Sequence, residues 1–281
     1  MQKEQKVLGL IAGEGKLPFL VARGAKKAGF KVICTGLNGN ASRELEKQVD
    51  KFYDVPLARP GNWIRKLKKH NVRDTVMVGR VAKKRIYTPW RILRYLPDWR
   101  AFRIWYWRLR KQNIKNQTLL SALADELKTG GIILQDSTEY CEDQLAEKGV
   151  MTQNQPPGFV REDIEFALPI ARKIADLDIG QALTVGEREI IAVEAIEGTA
   201  KLIERSGAYC KKGGWTLIKV AGTEQDMRFD VPCVGCDTIK SLAENKARAL
   251  AVQAGKTIII EKEQTIKLAD KLGISIIGVE I

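Results

Sequence analysis

Histidine is almost absent from this chain of 281 residues, in which His70 is the only one. It lies in a Lys-rich stretch with Lys66, Lys68 and Lys69, a pattern typical of the end of a solvated helix. The single histidine in this setting argues strongly against a Ser-His-Asp triad and against a metal centre built from several histidines. Any hydrolysis must rest on carboxylates, a hard cation such as Mg²⁺, and Lys or Arg side chains that neutralise phosphate charge.

Cysteine is scarce and scattered. The five cysteines form an odd set, which argues against a disulfide framework. Cys233 and Cys236 form one C-x-x-C motif, but a structural zinc site needs four ligands and the sequence has no second pair of this kind. Local packing of reduced thiols is the simpler interpretation.

Long apolar runs are also missing. The sequence has no stretch of about 18 apolar residues that would predict a spanning helix. The polar residues 1–6 lead into the short apolar run Val7–Ala12, which is too brief for a secretory signal. These features predict a cytoplasmic protein, either soluble or peripheral at a membrane.

Positive charge is in clear excess, with a formal net charge of +13. Such a charge favours an anionic partner and admits three classes of partner: nucleic acid, a phospholipid surface or a phosphorylated small molecule. Charge alone does not choose between them.

The length and the order of predicted elements indicate two α/β domains, at residues 1–136 and 137–281. In the first half, predicted strands at Val7–Ala12, 30–35, 75–78 and 131–134 alternate with helical patterns at 62–69 and 119–127 and after Pro18. This alternation predicts a parallel sheet with Rossmann-like winding.

The second half begins with a polar stretch, residues 137–161, which contains Pro156-Pro157-Gly158 and is interpreted as an interdomain connection. A helix at 163–175, strands at 181–185 and 190–195, a helix from Thr199, and strands at 215–220 and 256–260 follow. No glycine-rich dinucleotide turn occurs there, so we expect a different α/β module.

A glycine-rich turn follows the first predicted strand and includes Gly13, Gly15 and Lys16. Backbone N–H groups, a helix N-terminus and a lysine can together bind a phosphate. The turn is neither G-x-G-x-x-G, because Pro18 replaces the third glycine, nor a P-loop, because the G-K-[ST] ending is missing. A plain chain reversal remains the alternative.

Carboxylates are concentrated at two further places. Glu194 and Glu197 follow an apolar strand and precede a helix that begins near Gly198 and Thr199, a position that suits a divalent ion, although an isolated solvated pair is the alternative. Residues 219–232 combine acids, an amide and bases in a predicted irregular loop, the mixture that hydrolysis of a pyrophosphate needs.

These pieces together resemble a known family, the UDP-2,3-diacylglucosamine pyrophosphatases of the LpxI type in lipid A biosynthesis. The resemblance covers nearly the whole chain and lies in the order and spacing of several motifs. They are GLIAGEGKLP at 9–18, VGRV at 78–81, DIGQA at 178–182, AVEAIEGT at 192–199, QDMRFDVP at 225–232, Gly235 with Thr238, and AVQAG at 251–255.

The resemblance implies an N-terminal Rossmann-like domain, a C-terminal domain specific to the family, Mg²⁺ or Mn²⁺ as cofactor, and a homodimer. It places the catalytic aspartate at Asp226, with Asp230 as the rival and Gln225 and Arg228 beside them, and it implies Asp226, Glu194 and Glu197 as metal ligands. The substrate-binding residues that it implies are Gly13, Gly15, Lys16, Leu17, Pro18, Gly79, Arg80, Gln181, Glu197, Gly198, Thr199 and Lys219.

One segment, residues 80–115, stands outside this signature because it carries twelve Lys or Arg and a single acid, Asp98. Four tryptophans and other aromatics alternate with the bases, a pattern that favours an interfacial helix on anionic lipid. RNA binding and a partly buried dimer helix are the alternatives.

The predicted function is metal-dependent hydrolysis of UDP-2,3-diacylglucosamine to UMP and 2,3-diacylglucosamine 1-phosphate, at the inner face of the inner membrane. The alternatives from other classes are a non-catalytic nucleic-acid-binding protein and an inactive relative that only binds the nucleotide-lipid.

Overall fold

The computed structural model describes residues 6–81, 97–104, 106, 116–228 and 230–281. The chain divides into two compact units, residues 1–141 with 226–229, and residues 142–225 with 230–281. The four residues Asp226–Phe229 therefore group with the first unit although the second surrounds them in sequence. The predicted α/β class is confirmed, with a parallel sheet in the first unit and a mixed sheet in the second.

The first unit contains a parallel sheet in the order β3-β2-β1-β4-β5. Its strands are β1 (Val7–Ala12), β2 (Lys31–Leu37), β3 (Lys51–Val55), β4 (Asp74–Val78) and β5 (Ile133–Leu134). β1 is buried almost throughout, which explains its continuous apolar run. The strand order reverses between β1 and β4, which is where open α/β sheets bind their ligands.

Four α-helices of the first unit are described: α1 (Leu17–Lys27), α2 (Pro60–Lys68), α3 (Trp99–Arg103) and α4 (Asn116–Thr129). Pro18 and Pro60 occupy the first turns of α1 and α2, where a missing backbone N–H costs no helical hydrogen bond. Apolar residues of α2 and α4, including Trp63, Leu67 and Leu127, pack with Ile11 and Ile33 of the sheet.

The second unit contains a six-stranded sheet in the order β6-β13-β11-β9-β7-β8 and a separate pair, β10 with β12. The strands are β6 (Gly149–Val150), β7 (Ala182–Gly186), β8 (Glu189–Val193), β9 (Thr216–Lys219), β10 (Cys233–Val234), β11 (Ala249–Gln253), β12 (Ile258–Ile259) and β13 (Ser275–Val279). β9, β11 and β13 run parallel, while β6, β7 and β8 pair antiparallel with their neighbours.

Helices cover both faces of this sheet. They are α5 (Gly158–Asp176), α6 (Thr199–Tyr209), α7 (Cys236–Glu244) and α8 (Lys262–Leu272). Side chains alternate along the strands, so that Ile218 packs in the cluster that contains α5, while Leu217 packs in the cluster that contains α6, α7 and α8. None of the helices in the described parts of the chain is long and apolar enough to cross a membrane.

Residues 142–161, which the sequence predicts as part of a connection, contribute to the second unit. β6 pairs with β13, and Leu145 forms a bridge with Ile258. α5 already begins at Gly158, directly after the two prolines. Pro157 stands at the N-cap, so the Pro-Pro-Gly sequence marks the start of a helix here.

Candidate active site

The glycine turn after β1 and the turn after β4 meet at the strand-order reversal. The N–H of Gly13 donates to the carbonyl of Val78 at 2.8 Å, and Glu14 and Arg80 exchange two backbone hydrogen bonds of 2.8 and 2.9 Å. A Cβ on Gly13 would lie 2.7 Å from the Arg80 carbonyl oxygen, and one on Gly79 would lie 2.7 Å from the Gly13 carbonyl carbon. Glycine at both positions permits this backbone contact.

The same turn leads into the N-terminus of α1. Gly15 adopts a φ of +110° with open space around it, and Lys16 is the N-cap residue. Gly15 and Lys16 are exposed, whereas Leu17 and Pro18 are buried. Exposed glycine backbone, a lysine and a helix N-terminus form a surface that suits an anion. The structure therefore brings together two predicted groups of binding residues, 13–18 and 79–80.

Asp226 and Arg228 form a close ion pair within the first unit. The Arg228 Nε donates to Asp226 Oδ1 at 2.9 Å and to Oδ2 at 3.0 Å, and Nη2 donates to Oδ2 at 2.5 Å. The backbone N–H of Arg228 donates to the same carboxylate at 3.0 Å. These hydrogen bonds hold the pKa of Asp226 below its ordinary value and raise that of Arg228. Asp226 is consequently a carboxylate at neutral pH.

Asp230, which belongs to the second unit, has the opposite electrostatic environment. Burial raises the pKa of its carboxyl group, and the charge of Asp178 adds to the increase. The amide Nε2 of Gln181 donates to both carboxylate oxygens at 3.1 Å, and Nε2 of Gln225 donates to the Asp230 carbonyl at 2.6 Å. Gln181 and Gln225, two predicted site residues, therefore fix the position of Asp230, which is also a predicted site residue.

A second polar group in this unit surrounds Glu194, which is 7% exposed. The hydroxyl of Thr199 donates to Glu194 Oε1 at 2.6 Å, and the N–H of Gln181 donates to Oε2 at 3.2 Å. Lys219, at the end of β9 and 6% exposed, donates to the Thr199 hydroxyl at 2.8 Å and lies 4.0 Å from Glu194 Oε2. We call these residues, Glu194, Thr199, Lys219 and Gln181, the Glu194 cluster.

Glu197 takes a different position from Glu194. It is exposed, its Oε1 accepts from Arg205 at 2.8 Å, and its Oε2 accepts from the N–H of Ala195 at 3.2 Å. Gly198 is the N-cap of α6 with a φ of +81°, and Thr199 is its first residue, as the sequence predicts. The two carboxylates are thus engaged by different cations, Lys219 and Arg205.

The three predicted metal ligands each have internal partners. Asp226 is paired with Arg228, Glu194 with Thr199 and Lys219, and Glu197 with Arg205. Among the described residues, no three His, Cys, Asp or Glu side chains lie close enough together to hold a metal ion. The donor chemistry suits Mg²⁺, but a cage made from protein ligands alone does not occur in these parts of the chain.

Gln253 lies in the AVQAG motif and in the second unit, but it is not among the site residues predicted from the sequence. Its side chain is 7% exposed and its Oε1 accepts from the N–H of Ala221 at 3.0 Å, which fixes the chain directly after β9. The signal that could have identified it is an amide at the end of a predicted buried strand, within the AVQAG motif.

Most of the basic and aromatic segment predicted from the sequence lies outside the described residues. This applies to residues 82–96, 105 and 107–115, which include nine of the twelve bases of the segment. The described part comprises residues 80, 81, 97–104 and 106.

Comparison with known proteins finds a family model for each half of the chain. The model of the LpxI N-terminal domain matches residues 7–144, and that of the LpxI C-terminal domain matches residues 147–277. The chain is similar to the UDP-2,3-diacylglucosamine pyrophosphatase LpxI of Caulobacter vibrioides, with 27% identity over 97% of each chain. The two domain models match in their proper order and together span almost the whole sequence, so the chain belongs to the LpxI family.

Proposed function

We propose that this protein hydrolyses the pyrophosphate of UDP-2,3-diacylglucosamine to UMP and 2,3-diacylglucosamine 1-phosphate, a step of lipid A biosynthesis. The support comes from membership of the LpxI family and from the name of the Caulobacter relative. The observation that carries the proposal in this chain is the Asp226–Arg228 ion pair, which keeps a carboxylate ionised in one of the matching motifs.

In the proposed reaction, a water oxygen attacks one phosphorus and the bridging P–O bond breaks, so that each product leaves with one phosphate. Transition states of phosphoryl transfer are loose, and they demand positioning and charge neutralisation more than a strong base. A carboxylate of low pKa is a weak base but a good hydrogen-bond acceptor for water. Asp226 is therefore proposed to orient the attacking water, and Arg228 is proposed to keep the Asp226 carboxylate ionised.

The remaining predicted residues have proposed roles in binding. The turn of Gly13, Gly15 and Lys16, which is exposed at Gly15 and Lys16 and has Gly79 and Arg80 beside it, suits the nucleotide phosphates. Lys219 supplies positive charge to the Glu194 cluster, and Gln181 and Gln225 position Asp230. Each of these roles is proposed within its own unit.

Mg²⁺ or Mn²⁺ is proposed as the cofactor, bound chiefly by the substrate. Mg²⁺ is typically held by one or two carboxylates together with substrate phosphates, and it neutralises charge on the phosphoryl oxygens when bound. The absence of a three-ligand group among the described residues agrees with this mode. A homodimer and a peripheral location at the cytoplasmic face of the inner membrane complete the proposal.

The direct test is incubation of the purified protein with UDP-2,3-diacylglucosamine in detergent and Mg²⁺, with chromatographic detection of UMP. We expect equal amounts of UMP and 2,3-diacylglucosamine 1-phosphate. No release of UMP with Mg²⁺, Mn²⁺ or Co²⁺ would contradict the proposal.

A further inference from the structure

The described part of the basic and aromatic segment is fixed to the first unit through Asp98. One carboxylate oxygen of Asp98 accepts from the N–H of Gly61 in α2 at 2.7 Å, and the other accepts from the N–H of Ala101 at 2.9 Å, which caps α3. The N–H of Asp98 donates to the carbonyl of Ala58 at 3.2 Å. The start of α3 therefore has a defined place on α2.

Two arginines of α3 contact an internal carboxylate, that of Glu126 in α4. Arg100 Nη1 and Arg103 Nη2 both lie 2.5 Å from Glu126 Oε1, and Glu126 is 4% exposed. Burial would raise the pKa of Glu126, but the hydrogen bonds from Arg103 and Arg100 outweigh burial and leave that pKa below its ordinary value. Arg100 and Arg103, which the sequence pattern predicts to face lipid, therefore hold α3 against α4.

The described aromatic side chains of this segment are exposed to solvent. Trp99, Phe102 and Tyr106 are 71%, 42% and 39% exposed. Trp99 and Phe102 stack with ring centroids 5.5 Å apart and planes at 24°, and Phe102 and Tyr106 stack at 5.8 Å and 14°. We call this continuous row the aromatic ladder. The ion pairs with Glu126 hold α3, the helix that carries Trp99 and Phe102.

We propose that the aromatic ladder docks on the surface of an anionic phospholipid bilayer. Trp and Tyr combine an apolar ring with a polar tip, which suits the headgroup boundary of a membrane. The excess of Lys and Arg over Asp and Glu in this chain lies entirely in residues 1–141, and residues 142–281 have more acids than bases. Charge complementarity therefore selects an anionic surface for this unit.

Two other occupants fit these observations less well. RNA bases stack between or upon aromatic rings, but the three rings of the ladder already stack on one another. A second copy of this chain that met the ladder through its own ladder would bring an equally basic unit against it, which like-charge repulsion disfavours. The proposal also rests on the proposed function, because a lipid-linked substrate requires contact with a membrane.

The test measures binding of the full-length protein to vesicles without substrate. The first variant replaces all three ladder residues, Trp99→Ala, Phe102→Ala and Tyr106→Ala, and the matched control is Tyr209→Ala. Tyr209 is 71% exposed, as Trp99 is, but belongs to the second unit. Circular dichroism and thermal unfolding establish that each variant is folded.

We expect the parent to co-sediment with phosphatidylglycerol vesicles and much less with phosphatidylcholine vesicles. The triple variant should bind the anionic vesicles about tenfold more weakly, because it loses the apolar area of three rings, and Tyr209→Ala should bind as the parent does. The single variant Trp99→Ala should lie between them. Turnover on vesicle-embedded substrate, relative to turnover on detergent-dispersed substrate, should be lower in the variants that bind anionic vesicles more weakly.

Three outcomes would overturn the proposal. They are triple-variant binding to anionic vesicles equal to that of the parent, a parent dimer that becomes monomeric in the triple variant, and loss of RNA binding with vesicle binding intact. The vesicle measurement uses no substrate, so its failure is distinguishable from a failure to release UMP.

Discussion

Asp226 and Asp230 are separated by only three residues, yet their surroundings move their pKa values in opposite directions. Arg228 stabilises the ionised form of Asp226, whereas burial favours the neutral form of Asp230. Pairs of carboxyl groups with opposed pKa shifts are a recurrent basis for dividing roles in hydrolysis. The opposed shifts agree with the proposed role of Asp226 as the carboxylate that orients water, while the Asp230 carboxyl group takes up a proton more readily.

We expect Asp226→Ala to lower kcat by about two orders of magnitude or more, with binding of the substrate retained, because the carboxylate acts mainly in the transition state. Steady-state kinetics of UMP release measure this. Glu224→Gln is the control, since Glu224 is an exposed acid two residues away. Turnover of Asp226→Ala at the level of the parent would transfer the assignment to Asp230 or remove it.

Arg228→Gln should shift the acidic limb of the pH profile of kcat/KM to higher pH. The arginine keeps the pKa of Asp226 low, so its removal raises that pKa and protonates the carboxylate at a higher pH than in the parent. The profile from about pH 4 to 8 measures the shift. A limb that stays in place while kcat falls would mean that Arg228 acts on the substrate directly.

At the scale of elements, the hydrophobic pattern predicts some strands and helices and misses others. The sequence predicts β1 and the start of α6 correctly. It misses β3, β11, β13, α7 and α8. β3 carries Lys51 and Asp54 on a partly exposed strand, so no apolar run marks it.

In the candidate site, features formed by neighbouring residues can be predicted from the sequence, whereas contacts between residues far apart in sequence cannot. The glycine turn after β1 is predictable, because it lies next to the strand that defines it. The contact of Gln181 with Asp230 joins residues 49 positions apart, and the contact of Thr199 with Lys219 joins residues 20 apart. Such pairs depend on the strand order of the sheet, which a single sequence does not reveal.

Gly13→Ala should destabilise the first unit by roughly 1–3 kcal/mol and reduce turnover, because the new Cβ would separate the turns after β1 and β4. Chemical denaturation with UMP release measures both effects. Gly158→Ala, in the first turn of α5, is the matched control, since a Cβ there meets nothing within 4 Å. Its stability should stay within about 1 kcal/mol of the parent or increase slightly. Equal effects of the two substitutions would refute the proposed role of the close contact between turns.

At the scale of the whole molecule, each of the two units carries its own group of candidate site residues, and the two units differ in charge. Asp226, Arg228 and the glycine turn belong to the first unit, while Asp230 and the Glu194 cluster belong to the second. Positive charge is concentrated in residues 1–141. The proposed pyrophosphate substrate would bring negative charge to such a surface, and the proposed divalent cation would reduce its repulsion from the carboxylates.

Removal of the metal should distinguish between a cation that binds together with the substrate and a cation that binds to the protein alone. We expect EDTA to abolish UMP release and excess Mg²⁺ or Mn²⁺ to restore it. Without substrate, the same concentration of Mg²⁺ should leave the melting temperature unchanged, because a ligand that does not bind the native state adds no stability. The described carboxylates of the Glu194 cluster and of Asp226 already have internal partners, which is the physical basis of this expectation. A clear rise in melting temperature with Mg²⁺ alone, reversed by EDTA, would instead establish a site that the protein forms by itself.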